Sequence, residues 1–152
     1  MSLKIFFKKS KSNAFKSLKN KIYEENECSF KGETHMIGRN KNGKLTKMNF
    51  CGPGTKLEKR KKGKCSKPIS NVDSVCKTHD YDYKSISSGK FKNASKKTKK
   101  KKVRKADKKM INSIKNDKTA EAKILKTIME NKIRLEQLGL LDRLQFIGNK
   151  GK

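Results

Sequence analysis

The sequence has no tryptophan, only two prolines and no long run of apolar residues. A helix that spans a membrane needs about 20 apolar residues in succession, and the apolar start at Ile5, Phe6 and Phe7 is cut off by lysines. We therefore expect neither a membrane-spanning segment nor a conventional signal peptide. Apolar residues make up 32% of the 152 residues, so the composition predicts one small domain with solvated arms.

Acidic residues are also scarce. The sequence has 42 Lys and Arg residues but 14 Asp and Glu residues, which gives a formal net charge of +28, and only five of the cations are Arg. A charge of this size disfavours a neutral partner surface. It favours the head groups of anionic lipids or the phosphates of nucleic acids as partners.

Residues that commonly bind zinc are few. The four cysteines, Cys28, Cys51, Cys65 and Cys76, form no Cys-x2-Cys pair, and the sequence has two histidines. A zinc site is therefore disfavoured. If all four cysteines are oxidised, three disulfide pairings are open at this point.

The first part of the chain, residues 1–27, is predicted to be a basic arm. Phe15, Leu18 and Ile22 recur at helical spacing among lysines. The arm is predicted either to dock on the core as a helix or to contact a membrane surface or nucleic acid. In residues 30–46, glycines and asparagines mark turns, which indicates extended chain or a hairpin.

A helix that carries a histidine is predicted to follow. Ser70 or Asn71 can cap its start, and residues 87–89 end it. Its apolar and functional positions keep the helical period and are Val72, Val75, Cys76, His79, Tyr83 and Ile86. The histidine is therefore predicted to lie on the apolar face.

A second helix is predicted from the spacing of Val103, Ala106, Asp107, Met110 and Ile114. It places Asp107 on the apolar face, where a carboxylate needs a partner because burying it alone is costly. The residues before and into this helix form the basic tract, residues 96–105, which begins with Lys96 and ends with Lys105 and holds eight cations in ten positions. The tract is predicted to be solvated, with disorder left open.

The last segment, residues 120–146, is predicted to form one or two amphipathic helices. Their apolar stripe consists of Ile124, Leu125, Ile128, Leu135, Leu138, Leu141 and Leu144. Packing of this stripe against the core is favoured over contact with a partner or a membrane.

Three features of this chain together indicate hydrolytic chemistry. Histidine can take a proton from water near neutral pH when a carboxylate orients its ring, and Asp107 is the candidate carboxylate for His79. Asp80 is a candidate ligand for a hard cation, with backbone carbonyls of the glycine-rich loop, residues 50–55, as further ligands. Calcium suits such an all-oxygen set, and a cation beside a general base is what ester hydrolysis requires.

These residues belong to motifs that resemble a known family. The motifs are, in order, Phe50-Cys51-Gly52-Pro53-Gly54-Thr55, Pro68-Ile69-Ser70-Asn71-Val72-Asp73, His79-Asp80-Tyr81-Asp82-Tyr83 and Ala106-Asp107-Lys108-Lys109-Met110-Ile111. They resemble the phospholipase A2 domain of parvovirus minor capsid proteins, over residues 48–114, and the secreted and bee-venom-type phospholipases A2 at the loop and the first helix.

The resemblance implies a role for each site residue. It makes His79 the general base, Asp107 its partner and Tyr83 a hydrogen-bond donor to that carboxylate. The implied ligands of calcium are the carbonyls of Phe50, Gly52 and Gly54 and the side chain of Asp80, and Gly52 would also donate its N–H to the oxyanion. The segment between His79 and Asp107 is longer than in the parvovirus domains, which leaves open how firmly Asp107 is held.

The resemblance also implies a disulfide between Cys51 and Cys76, because cysteines occupy these positions in the secreted enzymes. Such a bridge would close a span of about 25 residues and contribute about 3 kcal/mol. The alternative is two reduced, buried thiols. Cys28 and Cys65 have no counterpart in the family.

The fold that this implies is mainly α: a small phospholipase A2-like core of two catalytic helices plus a calcium loop in residues 28–116. The basic arm precedes it, and a C-terminal amphipathic helical segment, residues 117–152, follows it. The implied function is calcium-dependent hydrolysis of phospholipid at the sn-2 ester by a virion component that acts at a host endosomal membrane. Implied partners are anionic membrane and a capsid, with nonspecific nucleic acid contact or nuclear targeting through the basic tract. The rival interpretation is a basic nucleic-acid-binding core protein with an inactive domain.

Overall fold

The structure is a computed structural model that describes residues 22–147. In this range it has a two-stranded sheet, β1 at Ile37–Arg39 and β2 at Leu45–Lys47, followed by three α-helices. The helices are α1 at Asn71–Ser87, α2 at Lys96–Ile114 and α3 at Ala120–Gln137, and two short 3-10 turns, Leu57–Arg60 and Lys64–Ser66, precede α1. The prediction of a small, mainly helical core is confirmed.

The strands β1 and β2 form an antiparallel hairpin, which was one of the two predicted alternatives. Ile37 pairs with Lys47, and Arg39 pairs with Leu45. The side chain of Asn40 accepts hydrogen bonds from the backbone N–H groups of Asn42 and Lys44, at 2.9 and 3.1 Å. Asparagine stabilises turns by such local hydrogen bonds, so it sets the register of the hairpin.

Helix α1 begins and ends where the sequence predicts. Ser70 is its N-cap, and the Ser70 hydroxyl accepts a hydrogen bond from the backbone N–H of Asp73 at 3.2 Å. The helix ends at Ser87, and its buried face includes Val72, Cys76 and His79.

Helix α2 decides between the two states left open for the basic tract, which is helical and solvated. The helix begins at Lys96, and the Ser95 side chain accepts a hydrogen bond from the N–H of Thr98 at 3.2 Å. Lysine is a good helix former, and extending a helix that packing already stabilises costs little. The face that is buried from Val103 onward holds the helix on the core, and the lysines before it keep their ammonium groups in water.

Helix α3 corrects the prediction that its apolar stripe packs on the core. Thr119 caps the helix, and its buried face consists of Ala122, Leu125, Met129 and Glu136. Of the residues in the predicted stripe, Leu125 alone is part of this buried face. Four residues of the predicted stripe are largely exposed, at 41–65%: Ile124, Ile128, Leu135 and Leu138. Ala122 and Met129, which lie outside the predicted stripe, pack with Leu125 in the apolar core instead.

The core consists of two apolar clusters with the polar site between them. The larger cluster joins the glycine-rich loop to all three helices and contains Met48, Phe50, Cys51, Leu57, Val72, Cys76, Met110, Ile114, Ala122, Leu125 and Met129. The smaller cluster lies towards the other ends of α1 and α2 and contains Tyr83, Ile86, Val103, Ala106 and Ile147. Helices α1 and α2 are therefore antiparallel, and they close around the residues at their middles.

The end of the predicted basic arm packs beside the hairpin. Tyr23 forms a parallel bridge with Leu45, and the N–H of Glu24 donates to the Leu45 carbonyl at 2.9 Å. Phe15 and Leu18 lie outside the described residues, so the prediction of a helical arm and the predicted domain boundaries stay predictions. Within residues 22–147, no helix has the length and apolar content needed to cross a membrane.

A disulfide joins Cys28 to Cys65. The family resemblance did not indicate this pairing. Beside it, the buried guanidinium of Arg60 donates to the Cys28 carbonyl at 2.6 Å and to the Glu33 carboxylate at 2.5 and 2.9 Å. A buried ion pair is tolerated when further hydrogen bonds satisfy it. This cluster fixes the segment before the hairpin to the segment that follows the glycine-rich loop.

Candidate active site

The glycine-rich loop is held on the first turn of α1 by a buried carboxylate. Asp73 is fully buried. Its two oxygens accept hydrogen bonds from the backbone N–H groups of Asn49, Phe50, Cys51 and Ile69, at 2.7–3.3 Å. Four amide partners satisfy the carboxylate without a cation, and they fix the backbone of the loop against the helix. Asp73 lies in one of the family motifs, but no role for it was predicted.

The loop needs glycine for two physical reasons. Gly52 has a φ of +154°, and a Cβ atom at this position would lie 1.7 Å from the backbone oxygen of Thr34. Two further hydrogen bonds hold this approach, from the N–H of Thr34 to the Pro53 carbonyl at 3.2 Å and from the N–H of Met36 to the Cys51 carbonyl at 2.8 Å. A side chain at position 52 would force the two segments apart.

A disulfide joins the loop to the helix that carries the histidine. It links Cys51 to Cys76, with 5.1 Å between their Cα atoms, which is the pairing that the family resemblance implies. His79 and Asp80 follow Cys76 by three and four residues, so they lie on the next turn of the same side of α1. The bridge therefore holds the loop beside both residues.

His79, Asp107 and Tyr83 come together in the middle of the α1 and α2 pair. The Nε2 atom of His79 lies 2.8 Å from one oxygen of Asp107, Oδ1, and the Tyr83 hydroxyl donates to the same oxygen at 2.5 Å. Asp107 is fully buried and His79 is 9% exposed. An ionised Asp107 requires the Nε2 atom to carry the hydrogen, which leaves Nδ1 as the proton acceptor. The longer connection between the helices does not displace Asp107.

A residue that sequence analysis missed completes the contacts of Asp107. The ammonium of Lys132, on α3, donates to the second oxygen of Asp107, Oδ2, at 2.7 Å. Burial raises the pKa of Asp107, but the hydrogen bond from His79 and the charge and hydrogen bond of Lys132 outweigh it, so the pKa of Asp107 lies below its ordinary value. Burial and the Asp107 charge raise the pKa of Tyr83, which keeps its hydroxyl a donor.

Lys132 is itself held by Glu136, one turn further along α3. The Glu136 carboxylate also accepts hydrogen bonds from Arg104 at 2.9 Å and from Arg143 at 3.2 Å. The one feature of the sequence that indicates this network is the period of the buried face, which Lys132 and Glu136 continue after Met129.

The loop and Asp80 offer the kinds of oxygen that calcium binds. The carbonyls of Phe50 and Gly52 lie 3.1 and 2.9 Å from the Thr55 hydroxyl, which can donate to either of them. A carbonyl oxygen has two lone pairs, so each of them can accept from or bind a second partner. Residues 22–147 contain no group of three or more His, Cys, Asp or Glu side chains that could hold a metal. A calcium site here would therefore depend on backbone carbonyls and on the buried Asp80.

A small cleft lies beside His79, between α1 and α2. Its volume is about 80 Å³, and it is lined by Ser74, Val75, Thr78, His79, Asp82, Ala106, Lys109, Met110 and Ser113. The cleft is large enough to admit water beside the His79 ring.

Comparison with known proteins agrees with the geometry of the site. No curated protein matches the chain, and no solved structure matches it. A family model described as the phospholipase A2-like domain matches residues 41–132. This range includes the glycine-rich loop, helices α1 and α2, and α3 as far as Lys132. The match covers more than half of the 152 residues, and the chain therefore belongs to the phospholipase A2-like domain family.

Proposed function

We propose that this protein is a calcium-dependent phospholipase A2 that hydrolyses the sn-2 acyl ester of glycerophospholipids. The observation that carries the proposal is the set of contacts among His79, Asp107 and Tyr83, in a chain of the phospholipase A2-like family. A buried imidazole whose Nε2–H is held by a carboxylate has its Nδ1 atom available as a general base.

The residues would carry out the reaction as follows. Nδ1 of His79 takes a proton from water while the water oxygen bonds to the ester carbonyl carbon. The Asp107 carboxylate balances the positive charge on the imidazole. The N–H of Gly52 donates to the carbonyl oxygen as it becomes negative. The bond to the glycerol oxygen then breaks, and His79 returns the proton to that oxygen. The products are a fatty acid and a lysophospholipid.

Calcium would be held by the carbonyls of Phe50, Gly52 and Gly54 and by the Asp80 carboxylate. When bound, the cation supplies positive charge beside the ester carbonyl and the lipid phosphate. Two observations support this ligand set: Asp80 is buried, and the disulfide between Cys51 and Cys76 holds the loop beside α1.

The test is hydrolysis of phosphatidylcholine labelled at the sn-2 chain, in calcium and in excess chelator. We expect release of the labelled fatty acid in calcium alone. His79→Asn should abolish turnover while calcium still binds by calorimetry, and Asp80→Asn should lose both. Asp142→Asn, the same change at an exposed aspartate beyond α3, is the matched control and should keep both within about two-fold of wild type. Equal hydrolysis with and without calcium would refute the proposal.

We also propose that the basic tract recruits the protein to anionic lipid. Four lysines are exposed and follow one another at helical spacing on α2. Three belong to the basic tract, Lys97, Lys101 and Lys105, and Lys108 follows just after it. Each cation near an anionic membrane surface contributes about 1 kcal/mol. The same face would also attract nucleic acid without reading its sequence, and this is the observation that favours the rival function.

Glutamine at these four positions separates the two functions from catalysis. Glutamine keeps the helix propensity and removes the charge. We expect weaker binding to vesicles that contain phosphatidylserine and to duplex DNA, with unchanged turnover of a dispersed monomeric substrate. The control carries glutamine at four exposed lysines outside this face, Lys92, Lys115, Lys118 and Lys123. Equal losses in both variants would show that net charge, rather than this face, drives binding. The rival function would be favoured if the wild-type protein and its active-site variants all bind DNA and none of them hydrolyses lipid.

The biological role that we propose is that of a virion component which breaches a host endosomal membrane and associates with a capsid, with the basic tract as a candidate nuclear-targeting segment. It rests on the family resemblance. The test is dye release from vesicles of endosomal composition, with His79→Asn as the control. Release that is equal for both proteins would show that membrane damage does not depend on hydrolysis.

A further inference from the structure

Helix α3 places a pair of opposite charges under the catalytic residues. The Lys132 side chain is 11% exposed and the Glu136 side chain is fully buried. Buried charges are costly unless each is paired and hydrogen-bonded. Here each one is, because Lys132 contacts Asp107 and Glu136, and Glu136 contacts Arg104 and Arg143.

The pair affects the orientation of the catalytic carboxylate. One oxygen of Asp107 accepts from His79 and Tyr83, and the other accepts from Lys132. If the carboxylate rotates about its χ2 torsion, it loses hydrogen bonds at both oxygens. Lys132 has a long, flexible side chain, so it can fix the carboxylate only if its own ammonium is fixed. Glu136 provides that second contact.

We propose that Lys132, held by Glu136, is a positioning residue that fixes the Asp107 carboxylate for His79 and makes α3 part of the catalytic unit. This inference rests on the proposed function. The side chains of His79 and Tyr83 from α1 and of Lys132 from α3 contact Asp107. Around them, Glu136 contacts Lys132, Arg104 from α2 and Arg143 beyond α3.

The same helix contains a matched control for this pair. Lys126 and Glu130 have the same spacing of four residues, six residues earlier, but their side chains are 43% and 53% exposed and their charged atoms lie 3.8 Å apart. An exposed pair of this kind contributes little. Both pairs are charged, helical and on α3, and Lys132 alone of the two lysines contacts the catalytic carboxylate.

The experiment compares Lys132→Gln, Lys132→Arg, Glu136→Gln and Lys126→Gln. We expect Lys132→Gln to lower kcat by about 10-fold to 100-fold with little change in KM, because a displaced catalytic group costs rate rather than substrate affinity. Lys132→Arg keeps the charge and should recover most of kcat. Glu136→Gln should give a smaller loss, and Lys126→Gln should stay within about two-fold of wild type.

A second measurement does not depend on activity. The ¹³C resonance of the Asp107 carboxyl group reports its titration, and the ¹⁵N resonances of His79 report which ring nitrogen carries the hydrogen. We expect Lys132→Gln to raise the pKa of Asp107 and to reduce the fraction of His79 with hydrogen on Nε2, while Lys126→Gln changes neither. If Lys132→Gln causes these shifts but the wild-type protein does not cleave lipid, the proposed function is refuted and the positioning contact is not.

Three outcomes would overturn the inference. They are wild-type kcat in Lys132→Gln, an equal loss in Lys126→Gln, and Asp107 and His79 resonances that Lys132→Gln leaves unchanged. If Lys132→Gln does not fold, as judged by thermal unfolding, Lys132→Arg and Glu136→Gln decide the question. Full activity in Glu136→Gln together with no activity in a folded Lys132→Arg would also contradict a positional role.

Discussion

Asp73 and Asp107 are both fully buried carboxylates, but their partners differ in kind. Asp73 accepts hydrogen bonds from four backbone N–H groups. Within residues 22–147, the Asp107 carboxylate accepts hydrogen bonds only from side chains, those of His79, Tyr83 and Lys132.

The difference shows how the same chemical group can serve structure or chemistry. Backbone N–H groups do not titrate, and they move only when the chain moves, so Asp73 fixes the conformation of the loop. Side-chain donors can exchange protons and can move separately, so Asp107 can respond to a change of charge on His79. Four experiments test this comparison.

The largest effect is expected from Asp107→Asn. An asparagine amide can donate to Nε2 and thereby favours the wrong tautomer of His79, so kcat should fall by about 10³-fold to 10⁴-fold. The loss should exceed that of Asp73→Asn when activity is expressed per folded molecule. Steady-state kinetics on dispersed substrate checks this, and a loss below about ten-fold would mean that Asp107 does not orient the base.

The next effect is expected from removing the disulfide that supports the same loop as Asp73. Replacing Cys51 and Cys76 with alanine should lower the free energy of unfolding by about 3 kcal/mol, because the bridge closes a span of 25 residues. Denaturant unfolding measures this change, and replacing Cys28 and Cys65 with alanine is the matched control. If the first variant alone also loses calcium affinity, the bridge shapes the loop as well as stabilising it.

A smaller loss is expected from Asp73→Asn. The amide keeps one acceptor oxygen for four backbone donors, so the free energy of unfolding should fall by about 2 kcal/mol. Calcium affinity should fall too, since the loop carbonyls are no longer held, and calorimetry checks this. Unchanged stability would mean that water replaces the carboxylate and that the backbone partners are not what makes Asp73 structural.

The smallest effect is the contribution of Asp107 to stability in acid. Because the folded pKa of Asp107 lies below its ordinary value, its contribution is fully present above the unfolded value of about 3.9. It is lost as the pH falls through the folded pKa. The unfolding free energy of wild type should therefore decline more steeply below about pH 4 than that of Asp107→Asn. Parallel curves would show that Asp107 titrates alike in both states.

The sequence predicted α1 from local period and capping, and the family motifs implied the group of His79, Asp107 and Tyr83. The hairpin was one of two alternatives, because turn residues alone do not show which segments pair. Asp73 stood inside a predicted motif, yet its role depends on how the loop folds back, which spacing does not show. Lys132 was missed because the apolar stripe predicted for this segment is not the face that packs, and Lys132 continues the period of the face that does.

One error and one open alternative share a physical cause. The apolar stripe of residues 120–146 was predicted to be buried because it is apolar, and disorder was left open for the basic tract because its charge is high. In both cases packing decided the outcome: Ala122 and Met129, which lie outside the predicted stripe, pack in the core, and the face of α2 that is buried from Val103 onward keeps the tract helical. Tertiary contact overrides local composition in such segments.

The continuity of α2 has a mechanical consequence. Asp107 lies on the buried face of one uninterrupted helix, and the exposed lysines lie on its solvent-facing side. A helix rises 1.5 Å per residue, so Lys101 lies about 9 Å along the axis from Asp107. If the lysines bind a charged surface, as we propose, the continuous helix fixes the orientation of His79 and Asp107 relative to that surface. A flexible segment in its place would leave that orientation variable.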